Sequence, residues 1–183
     1  MRHDRDSDVG IISIMAACDG FCSTPARVFA ICAGLELLEL EPEDRALYSL
    51  FGDARALPQG EIVGLALLGL PFEYNPALPN SRWARGKYCY PIRDCIRVPE
   101  GFKHKGNTMF TSLDPLAIEF FQTDPTIRAR LEEWGALNAT IMGLTVRQPA
   151  AEAIVSGKKN IENRSRIMFS NETCDVTWWE LQS

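Results

Sequence analysis

Three charged residues near the C-terminus, Lys159, Glu162 and Arg164, have types and spacing suited to binding an anion or a nucleobase. Residues two apart in a strand point to the same face, so Glu162 and Arg164 are expected side by side. A guanidinium can form a forked pair with a phosphate or a base edge, and a carboxylate can accept from an exocyclic amine. The alternative is a structural salt bridge that fixes a helix to a sheet.

The same residues include the candidates for catalysis, Lys159 and Glu162. A glutamate can act as a base toward water, and a lysine can stabilise an oxyanion. Their spacing does not by itself indicate catalysis.

Arg147 and Gln148 are further ligand-binding candidates, because they lie where a strand, GLTVRQ, meets the first turn of a helix. Backbone N–H groups at such a junction can hold an anion. The helix PAAEAIVSGKK has Pro149 in its first turn and Gly157 near its end, which is typical of helix boundaries. A second strand, NIENRSRI, follows.

Basic charge is concentrated in two segments of an otherwise acidic chain whose formal net charge is −5. Residues 82–105 carry +5, residues 142–166 carry +3 and the remainder carries −13. If the two segments meet, they form an anion-binding face that adds Trp83, Lys103 and Lys105 as ligand-binding candidates. The alternatives are two solvated stretches that never meet, and a Trp83 that packs in the core.

Residues 143–165 resemble the opening of an ASCH domain, the activating-signal-cointegrator homology family of PUA-like barrels. The pattern is a strand, a Gln-Pro helix start and then G-x-K-x-x-E-x-R, carried here by Leu144, Val146, Gln148, Pro149, Ile154, Gly157, Lys159, Glu162 and Arg164. The resemblance implies an α+β fold built around a small β-barrel of about six strands with flanking helices. It also implies RNA or a modified nucleotide as the ligand, and it implies that the Lys-Gly loop lies near the motif.

The order of the elements is changed relative to that family, which predicts a circularly permuted domain. One domain would span 1–183: the family's middle and C-terminal part at 9–134, a connector at 135–142 and the family's N-terminal part at 143–183. Domain termini usually lie on the surface, so permutation is physically tolerated. A swapped homodimer or a cut from a tandem array would give the same order.

Two departures from the family affect the expected activity. Ala150 stands where relatives commonly carry an aromatic residue after Gln-Pro, and Glu162 stands where amidohydrolase relatives carry a threonine. Binding of RNA or a nucleotide is therefore the first hypothesis. An amidohydrolase acting on N4-acetylcytidine-like substrates, or a ribonuclease, is the second, and a protein–protein adaptor is the third.

The remaining elements follow from periodicity and turn residues. Strands are predicted at 9–17, 61–70, 87–98 and 108–113, and helices at 25–40, 41–53, 114–122 and 123–135. Six cysteines without a CxxC pair, and two histidines, predict no metal site. No cofactor and no membrane span are expected, and the localisation is predicted to be cytoplasmic, with the nucleus as the alternative.

Overall fold

The structure is a computed structural model that describes residues 27–77, 81–104 and 110–168. Within these ranges it contains seven strands and four α-helices. They are, in chain order, β1 Arg27–Leu37, α1 Pro42–Tyr48, β2 Glu61–Leu68, β3 Phe72–Glu73, β4 Tyr88–Lys103, β5 Phe110–Thr111, α2 Pro115–Thr123, α3 Pro125–Glu133, β6 Met142–Gln148, α4 Ala150–Val155 and β7 Ile161–Arg164.

The helix predicted over 25–40 is wrong, because its described part is the central strand β1. Residues 28–33 are all buried, as expected of a strand covered on both faces. The strand pairs antiparallel with β2 and parallel with β6. Alanine, leucine and glutamate favour helix locally, but hydrogen bonding to a strand on each side overrides that preference.

The strands form one mixed sheet in the order β3-β4-β2-β1-β6-β5, with β7 also paired to β4. The α+β class is confirmed. The described strands do not form the closed barrel of six strands that the sequence predicts, because neither β5 nor β6 has a backbone ladder to β7. A side chain of β7 nevertheless reaches β6, since Arg164 Nη2 donates to the carbonyl oxygen of Thr145 at 2.9 Å.

Helices cover both faces of the sheet. On one face α4 packs with side chains of β1, β2, β4 and β6, and on the other α2 and α3 pack over β1 and β2. The approach of α4 requires a glycine at position 64, where an added Cβ would lie 2.5 Å from Val155 Cγ1. The sheet therefore separates two hydrophobic cores, and α4 leads directly into β7 and its charged residues.

Most of the other predicted elements are confirmed. Strand 61–70 is β2, strand 87–98 is the first part of a longer β4, and the two Asp-Pro segments open α2 and α3. Asp114 and Asp124 cap these helices, accepting from Leu116 N at 2.8 Å and from Ile127 N at 2.9 Å. The predicted strand at 9–17 lies outside the described residues.

None of the helices in the described ranges could cross a bilayer, because the longest have nine residues.

Candidate functional site

Lys159, Glu162 and Arg164 form a compact group of charges, here called the charge cluster. Lys159 Nζ donates to Glu162 Oε2 at 2.7 Å, and Arg164 Nη2 lies 2.9 Å from Glu162 Oε1. The predicted placement of Glu162 and Arg164 on one face of a strand is confirmed. The side chains of Lys159 and Glu162 are only 4% and 6% exposed, and that of Arg164 is 21% exposed. Two cations thus share one carboxylate, which leaves a net charge of about +1 beside the core.

The carboxylate of Glu162 stays ionised because of its two partners. Burial by itself would raise its pKa, but the nearby ammonium of Lys159 and guanidinium of Arg164 outweigh burial and lower the pKa below the usual value. Both carboxylate oxygens are occupied by these ion pairs. The carboxylate therefore acts as a fixed anion that holds two cations in place.

The turn between α4 and β7 positions Lys159. Gly157 has φ of +72°, a left-handed conformation that favours glycine and ends the helix. The backbone N–H of Lys159 then donates to the carbonyl oxygen of Ala153 at 2.8 Å. This tight turn directs the Lys159 side chain inward, toward the start of β7.

The strand β4 positions the other two members of the cluster. In the antiparallel β4–β7 pair, Tyr90 is opposite Glu162 and Tyr88 is opposite Arg164. Side chains opposite each other in such a pair share a face. Tyr90 is fully buried, whereas Tyr88 is partly exposed, so this face changes from core to rim along β7. Arg164 therefore reaches solvent while Glu162 does not.

Asn163 joins the two basic segments of the sequence. Its Nδ2 donates to the carbonyl oxygen of Trp83 at 2.7 Å, and its Oδ1 accepts from the backbone N–H groups of Arg85 at 3.0 Å and Gly86 at 3.2 Å. Ser81 Oγ also bonds to Asn160 Oδ1 at 2.6 Å. The alternative in which the basic segments never meet is thus excluded for residues 81–91.

A pocket of about 390 Å³ lies next to Arg164, lined by residues of β5, β6, β7 and the segment that follows β7. Its walls mix apolar and basic side chains, contributed by Phe110, Leu144, Arg164, Ser165, Arg166, Ile167 and Met168. Phe110 stacks on Phe29 with ring centroids 5.1 Å apart and an interplanar angle of 15°. The lining therefore combines an aromatic ring, held by this stack, with the side chains of Arg164 and Arg166.

The structure places the other predicted site residues away from this pocket. Gln148 is fully buried: its Nε2 donates to Pro58 O at 2.8 Å and its Oε1 accepts from Glu152 N at 3.0 Å, so it fastens the start of α4. Arg147 is exposed and pairs with Glu36 at 2.8 Å.

The three candidates from residues 82–105 differ in where they lie. Trp83 is 4% exposed and meets Tyr48 edge-on at 5.2 Å, so it packs in the core and offers no exposed stacking face. Lys103 is exposed and pairs with Glu61 at 2.9 Å. Lys105 lies outside the described residues.

Several aromatic residues near the charge cluster were not among the sequence-based candidates. Tyr88 and Tyr90 lie opposite Arg164 and Glu162, and Phe110 lines the pocket. Tyr48 also lies near the cluster: burial raises the pKa of its hydroxyl, and the Glu162 carboxylate raises that pKa further. The alternation in KYCY was a signal for two tyrosines on one face of a strand, but not for what lies opposite them.

Three cysteines in the described ranges are protected by burial. Burial raises the pKa of the Cys32 thiol to about 12, and it also raises the pKa values of the Cys89 and Cys95 thiols. Little thiolate forms at neutral pH at these three positions. No group of three or more metal-ligating His, Cys, Asp or Glu side chains occurs in the part of the chain that the structure describes.

The chain matches no family model, and no curated protein or solved structure matches it either.

Proposed function

We propose that the protein binds RNA or a modified nucleotide in the pocket beside the charge cluster. The observation that carries the proposal is the excess of cations around Glu162, next to a pocket with an aromatic wall. One carboxylate shared by two cations leaves positive charge for an anionic ligand to neutralise. A phosphate would supply that charge, and a base would fill the apolar part of the pocket.

Arg164 brings positive charge to the pocket, and its side chain is 21% exposed. Its Nη2 is occupied by Glu162 and by the carbonyl oxygen of Thr145, while its buried Nε has no hydrogen-bond partner. This Nε has almost no accessible surface, so Arg164 would attract an anionic ligand through its positive charge. Arg166 lines the same pocket, is exposed and forms no ion pair with any other described residue.

The apolar part of the pocket suits a planar ring. Phe110 is held by its stack on Phe29, and Leu144 and Met168 complete the wall. A volume of about 390 Å³ is near the lower end of the range for small-molecule sites. That size favours one nucleotide unit over a larger ligand.

The geometry supports binding better than catalysis. A general base needs a free lone pair and a pKa near the working pH, whereas both Glu162 oxygens are in ion pairs and its pKa is lowered. The amidohydrolase and ribonuclease hypotheses therefore lack a base at this position. The adaptor hypothesis gives no role to a buried excess of positive charge.

The proposal includes membership of the ASCH family, with a PUA-like barrel in permuted order. Two observations support it. The residues of the G-x-K-x-x-E-x-R pattern converge on one site, and the C-terminal segment docks through β6 and β7 on the sheet of its own chain.

Equilibrium binding of labelled RNA oligonucleotides and of free nucleotides, including N4-acetylcytidine monophosphate, tests the proposal at fixed salt. Arg166→Ala should weaken binding about tenfold, since a hydrogen bond to a charged group contributes roughly 1.5–3 kcal/mol. Arg164→Lys should also weaken it, because lysine keeps the charge but cannot reproduce the guanidinium geometry that bonds both Glu162 and the carbonyl oxygen of Thr145 and so positions that charge.

Arg128→Ala is the matched control, since Arg128 is an exposed arginine on α3, which packs against the other face of the sheet. Parent-like affinity of both site variants at matched salt, or no binding by the parent protein, would overturn the proposal.

A further inference from the structure

We infer a second subsite at Tyr88 and Lys87 that takes the nucleotide adjacent to the one in the pocket, so that the ligand is a single-stranded segment of RNA. This inference rests on the proposed function of the pocket. It adds the length and the strandedness of the ligand, and it assigns two residues that the charge cluster does not contain.

Arg164 lies between the pocket and Tyr88. It lines the pocket on one side, and on the other it is directly opposite Tyr88 in the β4–β7 pair. Opposed residues in an antiparallel pair have Cβ atoms about 5 Å apart. The guanidinium of Arg164 can therefore meet a phosphate that joins a base in the pocket to a base beside Tyr88.

Tyr88 and Lys87 have the composition of a stacking platform. Tyr88 is partly exposed, and Lys87 Nζ lies 5.2 Å from the centroid of its ring. This contact keeps a cation over the aromatic face. A base that stacks on Tyr88 would replace the ammonium, which is exposed and can then pair with the phosphate. Base stacking on an aromatic ring is tolerant of sequence, because every base has a π-face.

The residues on the two sides of Tyr88 carry opposite charges, which sets the direction that a bound RNA segment would take. On one side the segment 81–87 is fixed to β7 by Asn163 and presents the exposed Arg82. On the other side Glu73 of β3 is opposite Tyr88 and is exposed. The RNA backbone is attracted by Arg82 and repelled by Glu73. The RNA is therefore expected to leave the pocket toward Arg82.

The single-stranded character follows from the pocket. Its volume of about 390 Å³ matches a single base, which can enter the pocket when it is unstacked and unpaired. Proteins that recognise RNA by sequence or modification usually take bases from single strands for this reason. A duplex would present only its backbone to the rim.

Binding of a nucleoside monophosphate, a 5′-phosphorylated dinucleotide, a tetranucleotide and a duplex of matched sequence tests the inference. The dinucleotide should bind about tenfold more tightly than the monophosphate, and the duplex should bind more weakly than the tetranucleotide. Lys87→Ala and Tyr88→Leu should each reduce this gain, with Arg128→Ala as the control. Lys87→Ala keeps the test valid if Tyr88→Leu impairs folding, because Lys87 is exposed.

The outcomes separate the two proposals. If the parent binds the monophosphate, Arg166→Ala weakens that binding and a second nucleotide adds no affinity, then the second subsite is wrong and the pocket assignment stands. A dinucleotide gain that survives Lys87→Ala and Tyr88→Leu unchanged also overturns the subsite. If neither the monophosphate nor any oligonucleotide binds the parent, both proposals are wrong.

Discussion

Asn163 Nδ2 donates to the carbonyl oxygen of Trp83 at 2.7 Å, across 80 residues of sequence. The same side chain accepts two backbone N–H groups from Arg85 and Gly86. One uncharged residue on β7 thus fixes the loop before β4 beside the charge cluster.

Asn163→Ala should lower the free energy of unfolding by about 2–4 kcal/mol, because it leaves three backbone groups without this partner and each lost bond contributes roughly 1 kcal/mol or more. Urea denaturation measures the change. Asn138→Ala is the control, since Asn138 is an exposed turn residue. Equal stability of the two variants would contradict this role for Asn163.

Glu162→Gln should destabilise the protein by about 3–5 kcal/mol at neutral pH, since it leaves two cations without their carboxylate. The pKa of Glu162 is lowered by folding. Its ionisation therefore stabilises the fold above the unfolded pKa of about 4.3, and this contribution is lost as the pH falls through the folded value.

Urea denaturation of the parent and of Glu162→Gln between pH 7 and pH 3 measures this effect. The difference in stability between them should narrow below about pH 4.3. A difference that is constant over the whole range would show that the ionised carboxylate does not stabilise the fold.

Gly64→Ala should destabilise the protein by about 3 kcal/mol through overpacking. Its Cβ would lie 2.5 Å from Val155 Cγ1 and 2.6 Å from the carbonyl oxygen of Ile96, so α4 or β4 must move. Thermal unfolding measures the change. Gly34→Ala is the control, because its Cβ would meet Thr145 Cγ2 at an ordinary 3.4 Å. Similar melting temperatures for both variants would refute the close approach of α4.

Trp83→Phe should lower stability and leave nucleotide affinity unchanged. Its ring packs against Tyr48 in the core and is 4% exposed, so the smaller ring leaves a cavity. We expect a loss of about 1–3 kcal/mol in the free energy of unfolding. Measuring affinity well below the melting temperature keeps the two effects apart. A large loss of affinity in a folded variant would restore Trp83 as a stacking residue.

The sequence predicts the local geometry of the charge cluster well. The i, i+2 spacing of Glu162 and Arg164 is sufficient to place them on one face of a strand. The position of Lys159 on the turn between α4 and β7 can also be predicted, because Gly157, two residues earlier, ends the helix. These relationships depend on neighbours within six residues, which is the range over which backbone geometry acts.

Relationships between distant segments could not be predicted in the same way. The buried run of β1 mixes alanines with the strand-forming Val28, Phe29 and Ile31, so its composition permits either element, and its pairing with β2 and β6 makes it a strand. Gln148 is a polar residue at a strand end, where an exposed side chain would be expected. Its hydrogen bond to the carbonyl oxygen of Pro58, 90 residues away, holds it in the interior. The role of Asn163 depends likewise on a loop 80 residues earlier.

The pocket touches β5 through Phe110 and β7 through Arg164, two strands that share no ladder in the described sheet. A bound molecule would therefore contact both β5 and β7 and link two strands that are not joined by backbone hydrogen bonds. By thermodynamic linkage, a ligand at one hundred times its dissociation constant adds about 2.7 kcal/mol to the free energy of unfolding. The rise in melting temperature therefore reports how fully the pocket is occupied. A library of nucleotides can be ranked by the rise that each one causes at the same concentration.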